Sequence, residues 1–191
     1  MAKDLVTKNE YKNYAGISSQ NQDDIIDTLI PKISALVKTY CKQSFIDYYG
    51  DPKSETFNGG TQSLILKEYP VRNIYSVEYS LDYGQTYDIM VDYQDFIPNY
   101  QDGSVDSTDS INGFIYRQNG YIVTYSAGYE ATPEDVKLAV FDLITYYMQN
   151  DGAIHSNKAP GTNTVQIEYI STTRLPAHIK RVLDQYVLDY A

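Results

Sequence analysis

The stretch YIVTYSAGYEATPEDVKLAVFDLITYYM, residues 121–148, holds a strand, a turn and a helix in succession, and the rest of the chain reads as built against it. Tyr121, Val123 and Tyr125 alternate with Ile122, Thr124 and Ser126, the two-residue period of a strand with unlike faces. Gly128 breaks the run. Thr132 is placed to cap a helix, Pro133 suits its first position, and Glu134 and Asp135 lie at the positive end of its dipole. Val136, Ala139, Val140, Leu143, Ile144 and Tyr147 then recur at spacings of three and four. Leu138 and Phe141 add apolar bulk off that stripe, so this helix is expected to touch more than one partner.

Before the strand lies a second helical stripe: Ile25, Ile26, Leu29, Ile30, Ile33, Leu36, Val37 and Tyr40, over residues 23–44. Pro31 interrupts it, and a kink or a break with restart is expected there. A short helix over 7–14, with Thr7 at its start and Gly16 at its stop, precedes it. Residues 45–126 change to short alternating runs separated by turn chemistry, the pattern of an antiparallel sheet, with strands expected at 55–57, 63–67, 74–80, 86–91, 113–117 and 121–126. Asn58-Gly59-Gly60, Asp82-Tyr83-Gly84 and Gln118-Asn119-Gly120 supply turns, the first read as a hairpin. Residues 92–112 lack periodicity and read as a long loop outside the core. After the central helix, 151–163 is a linker by composition, 164–170 an alternating strand, and a last helix from Leu175-Pro176 carries Ile179, Val182, Leu183, Tyr186, Val187 and Tyr190 almost to the final residue. The fold class is α+β: a helical core over 1–150 with an inserted antiparallel β-sheet, and a C-terminal strand plus helix over 164–191.

A formal charge of -10 argues against a protein that grips nucleic acid through its phosphates. The acid is concentrated: residues 73–116 hold Glu78, Asp82, Asp88, Asp92, Asp95, Asp102, Asp106 and Asp109 with no lysine or arginine. One cysteine excludes an internal disulfide, and with two histidines beside it a Cys/His zinc site is not credible. Residues 1–12 turn polar within a few positions and no apolar run nears the ~20 residues of a membrane span, so a soluble protein of a reducing compartment is expected. Tyrosine supplies 21 residues against 5 phenylalanines and no tryptophan, a composition that suits contact surfaces and equally a sugar-binding module.

Catalytic chemistry is thinly supported. His155 sits in the linker and His178 in a helix's first turn, with no G-x-S-x-G near either. Residues 102–109 offer carboxylates at short spacing, but not in the order of a calcium loop, and a solvated acidic loop is the better reading. No catalytic residue, cofactor or metal is expected.

Several strings together resemble the head-tail connector, or head-completion adaptor, family of tailed bacteriophages. Leu5-Val6-Thr7, Asp23-Asp24-Ile25-Ile26 and Tyr40-Cys41-Lys42-Gln43-Ser44-Phe45 are similar to its opening helices. Residues 64–67, Tyr69-Pro70-Val71-Arg72-Asn73-Ile74 and Val77-Glu78-Tyr79 resemble its sheet. The most specific match is Val123-Thr124-Tyr125-Ser126-Ala127-Gly128-Tyr129 followed by Thr132-Pro133-Glu134-Asp135-Val136 and Ala139; Leu175-Pro176-Ala177-His178-Ile179 with Leu183 and Tyr186 resembles its closing helix. The chain departs from the pattern in a longer 92–112 segment, a longer 151–163 linker, and the lack of a glycine-arginine pair at residues 40–43.

The resemblance implies a virion neck protein without catalysis, assembled in the host cytoplasm. Its subunits form a ring, commonly of twelve, beneath the portal protein, extend the DNA channel without sequence-specific binding, and dock a stopper, tail or other neck protein. No membrane is involved. On that reading the portal is met by the C-terminal strand and helix, through Ile167, Tyr169, Ile179, Val182, Leu183, Tyr186 and Tyr190. Neighbouring subunits are met through Leu138, Phe141 and Tyr146, and another neck or tail protein through the acidic loop with Asp92, Asp95, Asp102, Asp106 and Asp109. Removing residues 164–191 is expected to abolish portal binding and leave the core folded. The rival expectation is a tyrosine-rich β module that binds carbohydrate or a cell surface as part of a fibre or adhesin, which requires exposed aromatics along one sheet face.

Overall fold

The computed structural model describes residues 2–149, 154–158, 165–169 and 175–188. Contacts divide the chain into a β unit centred on Lys42–Thr132 and a helical unit formed by Asp4–Cys41 with Pro133–Val187.

In the helical unit, α1 (Lys8–Ala15) is closed at both ends by its own sequence. The Glu10 amide donates to Thr7 Oγ1 at 3.3 Å while the Thr7 amide donates to Glu10 Oε2 at 2.7 Å, a reciprocal cap. Gly16 then turns left-handed at φ 67°, which ends the helix. The next helix, α2 (Asp23–Cys41), runs unbroken through Pro31, so the alternative of a break is removed. It stops three residues earlier than expected, where Lys42 takes φ 57°. Ile26, Ile30, Ile33, Val37 and Cys41 are its buried stripe, against which α3 (Glu134–Gln149) packs with Val136, Ala139, Val140, Leu143 and Ile144.

The closing helix is shorter than its periodicity suggested. It spans only Ala177–Leu183 (α4), and a single 3-10 turn, Asp184–Tyr186, follows. That turn is held by side chains: the Tyr186 hydroxyl reaches both Asp135 oxygens at 2.8 Å, and the Tyr40 hydroxyl donates to Asp184. Strands β8 (Ile154–Lys158) and β9 (Val165–Tyr169) pair antiparallel, so five residues of the expected linker form a strand. Their polar sequence gives no alternating signal because the pairing is made by backbone groups.

The β unit contains two sheets. The first has the order β1 (Lys53–Phe57), β7 (Tyr121–Ala127), β3 (Val71–Tyr79) and β4 (Asp88–Ile89); the second β2 (Ser63–Ile65), β6 (Ser104–Ser107) and β5 (Phe96–Asn99). Every pairing is antiparallel. With these strands and helices in one chain the fold is α+β, as read from the sequence. The strand of the opening motif, β7, lies between β1 and β3, with Val123 opposite both Glu55 and Val77. One core serves both sheets: Val77, Val123, Tyr125 and Ala127 from the first and Leu64, Phe96 and Val105 from the second, joined by Phe114.

Three expectations are corrected here. Asn58-Gly59-Gly60 does not join a hairpin, since β1 pairs with β7 and β2 with β6. Residues 113–117 are not a strand: Gly113 turns left-handed at φ 60° and only Phe114 makes a bridge, to Thr61. Residues 92–112 are not a projecting loop, because β5 and β6 fall within them and Phe96 and Val105 are buried. Two apolar residues separated by acids and turns still close a core when the ladder places them on the same side.

Gly128, where the strand of the opening motif ends, has φ 96° and no room for a side chain, because an added methyl would overlap the Phe45 carbonyl. Its amide donates to Pro70 O at 2.8 Å, and the Tyr129 amide to Phe45 O at 2.7 Å.

Candidate interaction surfaces

Beneath the β unit's surface lies a charged network that the sequence did not announce. Glu55 and Glu68 are each 7% exposed, and Lys53 Nζ lies between them, 2.7 Å from Glu55 Oε1 and 3.0 Å from Glu68 Oε1. The Tyr125 hydroxyl donates to Glu55 Oε1 at 2.9 Å and accepts from the Glu68 amide at 3.2 Å. Ser44 donates to Glu68 through its amide at 2.8 Å and its hydroxyl at 2.9 Å. Burial alone would lower the Lys53 ammonium, but hydrogen bonds to Glu55 and Glu68 prevail and hold it above its usual value. Burial first, and then the adjacent Glu55 carboxylate, push the Tyr125 phenol up. Every member is satisfied by another, so the cluster ties β1, β7 and the chain around Ser44 and Glu68 together.

Six of the acids of residues 73–116, Glu78, Asp82, Asp95, Asp102, Asp106 and Asp109, accept from N–H and O–H donors in place of cations. Asp82 accepts from the Thr86 amide at 2.8 Å, the Thr86 hydroxyl at 2.7 Å, the Ser80 hydroxyl at 2.7 Å and the Gln85 amide at 3.0 Å. Those bonds, the Thr86 amide foremost, hold its carboxyl far below the usual range. Asp109 is likewise lowered, by the Asn112 side chain first and then the Asn112 and Ile111 amides. Asp95 accepts from the Val91 amide at 2.7 Å, and Asn99 Nδ2 donates to Asp102 at 2.9 Å and to Asp106 at 3.3 Å. Asp92, Asp102 and Asp109 remain exposed, Asp95 and Asp106 half-buried. The acidic residues therefore stitch the turns of this unit while their charge stays at its surface.

Of the portal-contact candidates, Ile179 and Leu183 are corrected. They are 1% and 0% exposed and belong to the core that α4 shares with α2 and α3, so they are not available to another protein. Their spacing fits an interior stripe as well as a docking stripe, which is why sequence alone did not separate the two. Val182 and Tyr186 are half-buried. Ile167 and Tyr169 lie on β9, and Tyr190 lies outside the described residues. Among the subunit-contact candidates, Leu138 is 47% exposed. Phe141 is half-buried and stacks on Tyr14, ring centroids 4.9 Å apart; Tyr146 meets Tyr147 edge-on at 5.7 Å. His178 is exposed, 3.8 Å from Asp142.

Charge divides unequally. Residues 42–132 hold 13 acids against 5 lysines and arginines, a formal -8, whereas the rest of the chain holds 12 against 10, a formal -2. The exposed tyrosines of the β unit, Tyr69, Tyr75, Tyr83, Tyr93, Tyr100 and Tyr116, lie in turns and loops except for Tyr75 on β3. They do not line one sheet face, which removes the geometric requirement of the carbohydrate-binding reading. Among the described residues no helix is long and apolar enough to cross a membrane.

A mixed fold of this kind, with an antiparallel β unit inserted between helices, recurs in solved particle necks. One chain from the neck of an empty GTA particle computed with C6 symmetry aligns with a TM-score of 0.59 at 13% identity, covering 98% of this chain and 91% of that chain. A chain from the neck of a native GTA particle computed with C12 symmetry gives 0.56 at 12% identity, covering 100% and 97%. A third, from the virion of a native gene transfer agent (GTA) particle, gives 0.60 at 11%, covering 98% and 91%. No curated protein matches the sequence. The head completion protein family model matches residues 4–187, and the chain belongs to that family.

Proposed function

We propose that this head completion protein is a structural adaptor of a phage-like neck, assembling as a ring beneath the portal, continuing the DNA channel and docking the next neck or tail protein. The observation that carries this reading is the family match over residues 4–187, supported by a fold shared along nearly its whole length with chains from C6- and C12-symmetric necks. A ring repeats one heterologous contact between two different faces of the subunit. The helical unit supplies suitable faces: Leu138 on α3, and Ile25 and Leu36 on α2, are exposed apolar residues in the less charged part of the chain. A surface of net charge -10 suits a channel through which DNA slides without adhering.

The portal-facing surface is proposed as the C-terminal region, with Val182, Tyr186 and the β8–β9 pair as its parts. Electron microscopy of the portal mixed with this chain tests the reading. Added ring density on the channel axis is expected; a bare portal at saturating chain overturns it.

A further inference from the structure

We infer that β4 and the recesses on its two sides form a docking groove for a basic protein segment carrying an apolar anchor side chain. The inference rests on the neck reading and names the chemistry of the partner that the β unit receives. The larger recess, about 390 Å³, is bordered by Leu81, Ile89, Ile115 and Phe114, with Asp95 and Asp109 among its acids. The smaller, about 120 Å³, is bordered by Ile74, Ile89, Met90, Pro98 and Tyr100, with Asp92. Ile89 and Met90 belong to both, so Ile89 forms the ridge between them.

Ile89 is 73% exposed, Leu81 63% and Ile115 52%, and three aliphatic side chains left this open around one recess mark a contact surface. The floor is fixed: Phe114 packs edge-on against Tyr121 at 5.1 Å, and the Met90 amide donates to Val77 O at 2.8 Å. Arg117, which also lines the larger recess, donates from its Nη1 to Ser80 O at 3.3 Å and keeps its charge. Across the two recesses Asp92, Asp95 and Asp109 outnumber that one cation, so the rim is net negative. A carboxylate offers about four lone-pair sites, and the Val91 amide occupies one of those on Asp95, which leaves capacity for an incoming ammonium or guanidinium.

Charge decides the occupant. A second copy of this chain carries -10, and both residues 42–132 at -8 and the remainder at -2 are net negative. Like charges oppose that pairing, whereas a lysine- or arginine-rich segment with a leucine-like anchor matches both rim and floor.

The test follows isoleucine methyl NMR signals of the full chain titrated with a short peptide alternating leucine and lysine. Peptides alternating leucine with glutamate, and serine with lysine, serve as controls. The leucine–lysine peptide is expected to shift the Ile89 and Ile115 methyls and leave Ile26 and Ile144 unmoved. Its affinity should fall by about tenfold or more between 0.1 and 1 M salt, as the screening length drops from about 10 to about 3 Å. Ile89→Asp, and independently Leu81→Asp, should each weaken binding about tenfold with the melting temperature unchanged. Equal binding of either control, unaltered binding by both variants, or no shift at millimolar peptide overturns the groove. Shifts of the same methyls on raising protein concentration without peptide would assign it to a second copy and also overturn it. A failed titration in a chain that still forms rings on the portal removes this inference alone; a chain that forms none removes the neck reading.

Discussion

Lys53 is the residue on which the β unit's interior depends most. It lies between two carboxylates that are 7% exposed, 2.7 Å from one and 3.0 Å from the other. Lys53→Met leaves both acids buried without a counter-charge, and removing one partner of a buried ion pair costs about 3 kcal/mol or more. Urea unfolding should show that loss as a lower midpoint with an unchanged slope. Tyr125→Phe is milder, about 1–3 kcal/mol, since it strands the Glu68 amide and leaves Glu55 on Lys53.

The pH profile follows from the same residues. Lys53 is raised in the fold, so its stabilisation is whole below its unfolded value of 10.5 and is lost as pH climbs through the folded value. Tyr125, also raised, acts in the same direction because the unfolded phenol ionises first. Asp82 and Asp109 are lowered from 3.8, so their contribution is present above that pH and disappears as pH falls through their folded values. A plateau from about pH 4 to about pH 9 is expected, falling on both sides, and Lys53→Met should flatten the alkaline limb. An alkaline limb identical in the variant contradicts the role given to Lys53. None of this network was legible in the sequence. Glu55 and Glu68 carry no mark of burial in the sequence, because a strand pattern says which residues share a face and says nothing of what covers a polar one.

At the scale of elements, α4 tests how much of the C-terminus belongs to the core. Ile179 and Leu183 are buried, and Cys41 lies under the helix, its thiol donating to Leu183 O at 3.7 Å. Burial pushes that thiol up to about 12, so native Cys41 should resist alkylation at pH 8. Deleting residues 175–191 uncovers it, and Leu183→Ala should cost about 2–5 kcal/mol. Rapid labelling of truncated but folded protein, with slow labelling of the intact chain, is the expected result; equal rates contradict the packing.

Elements with a strong local period were legible: β7 and α3 in the opening motif, α2 despite Pro31, and α1 with its reciprocal cap. Pairing was less so. β1 meets β7 rather than β2, across most of the inserted unit, and turn residues such as Asn58-Gly59-Gly60 set local direction without naming a distant partner. Strands β5 and β6 were missed because only Phe96 and Val105 among their residues face the core.

For the whole molecule, residues 42–132 hold -8 of the -10 charge, and the helical unit carries exposed Leu138, Ile25 and Leu36 nearer neutrality. That separation suits a subunit that joins its own copies through helices and a different, basic protein through its sheets, where salt weakens the second contact far more than the first. The family was legible because the string that most resembles it, from Val123 to Val136, coincides with the strand, turn and helix that organise the fold. The central claim is tested most directly by the mass of the purified protein in solution, alone and mixed with the portal of its own particle. The account predicts a ring, or a monomer that becomes one on the portal. A stable monomer indifferent to the portal would contradict it.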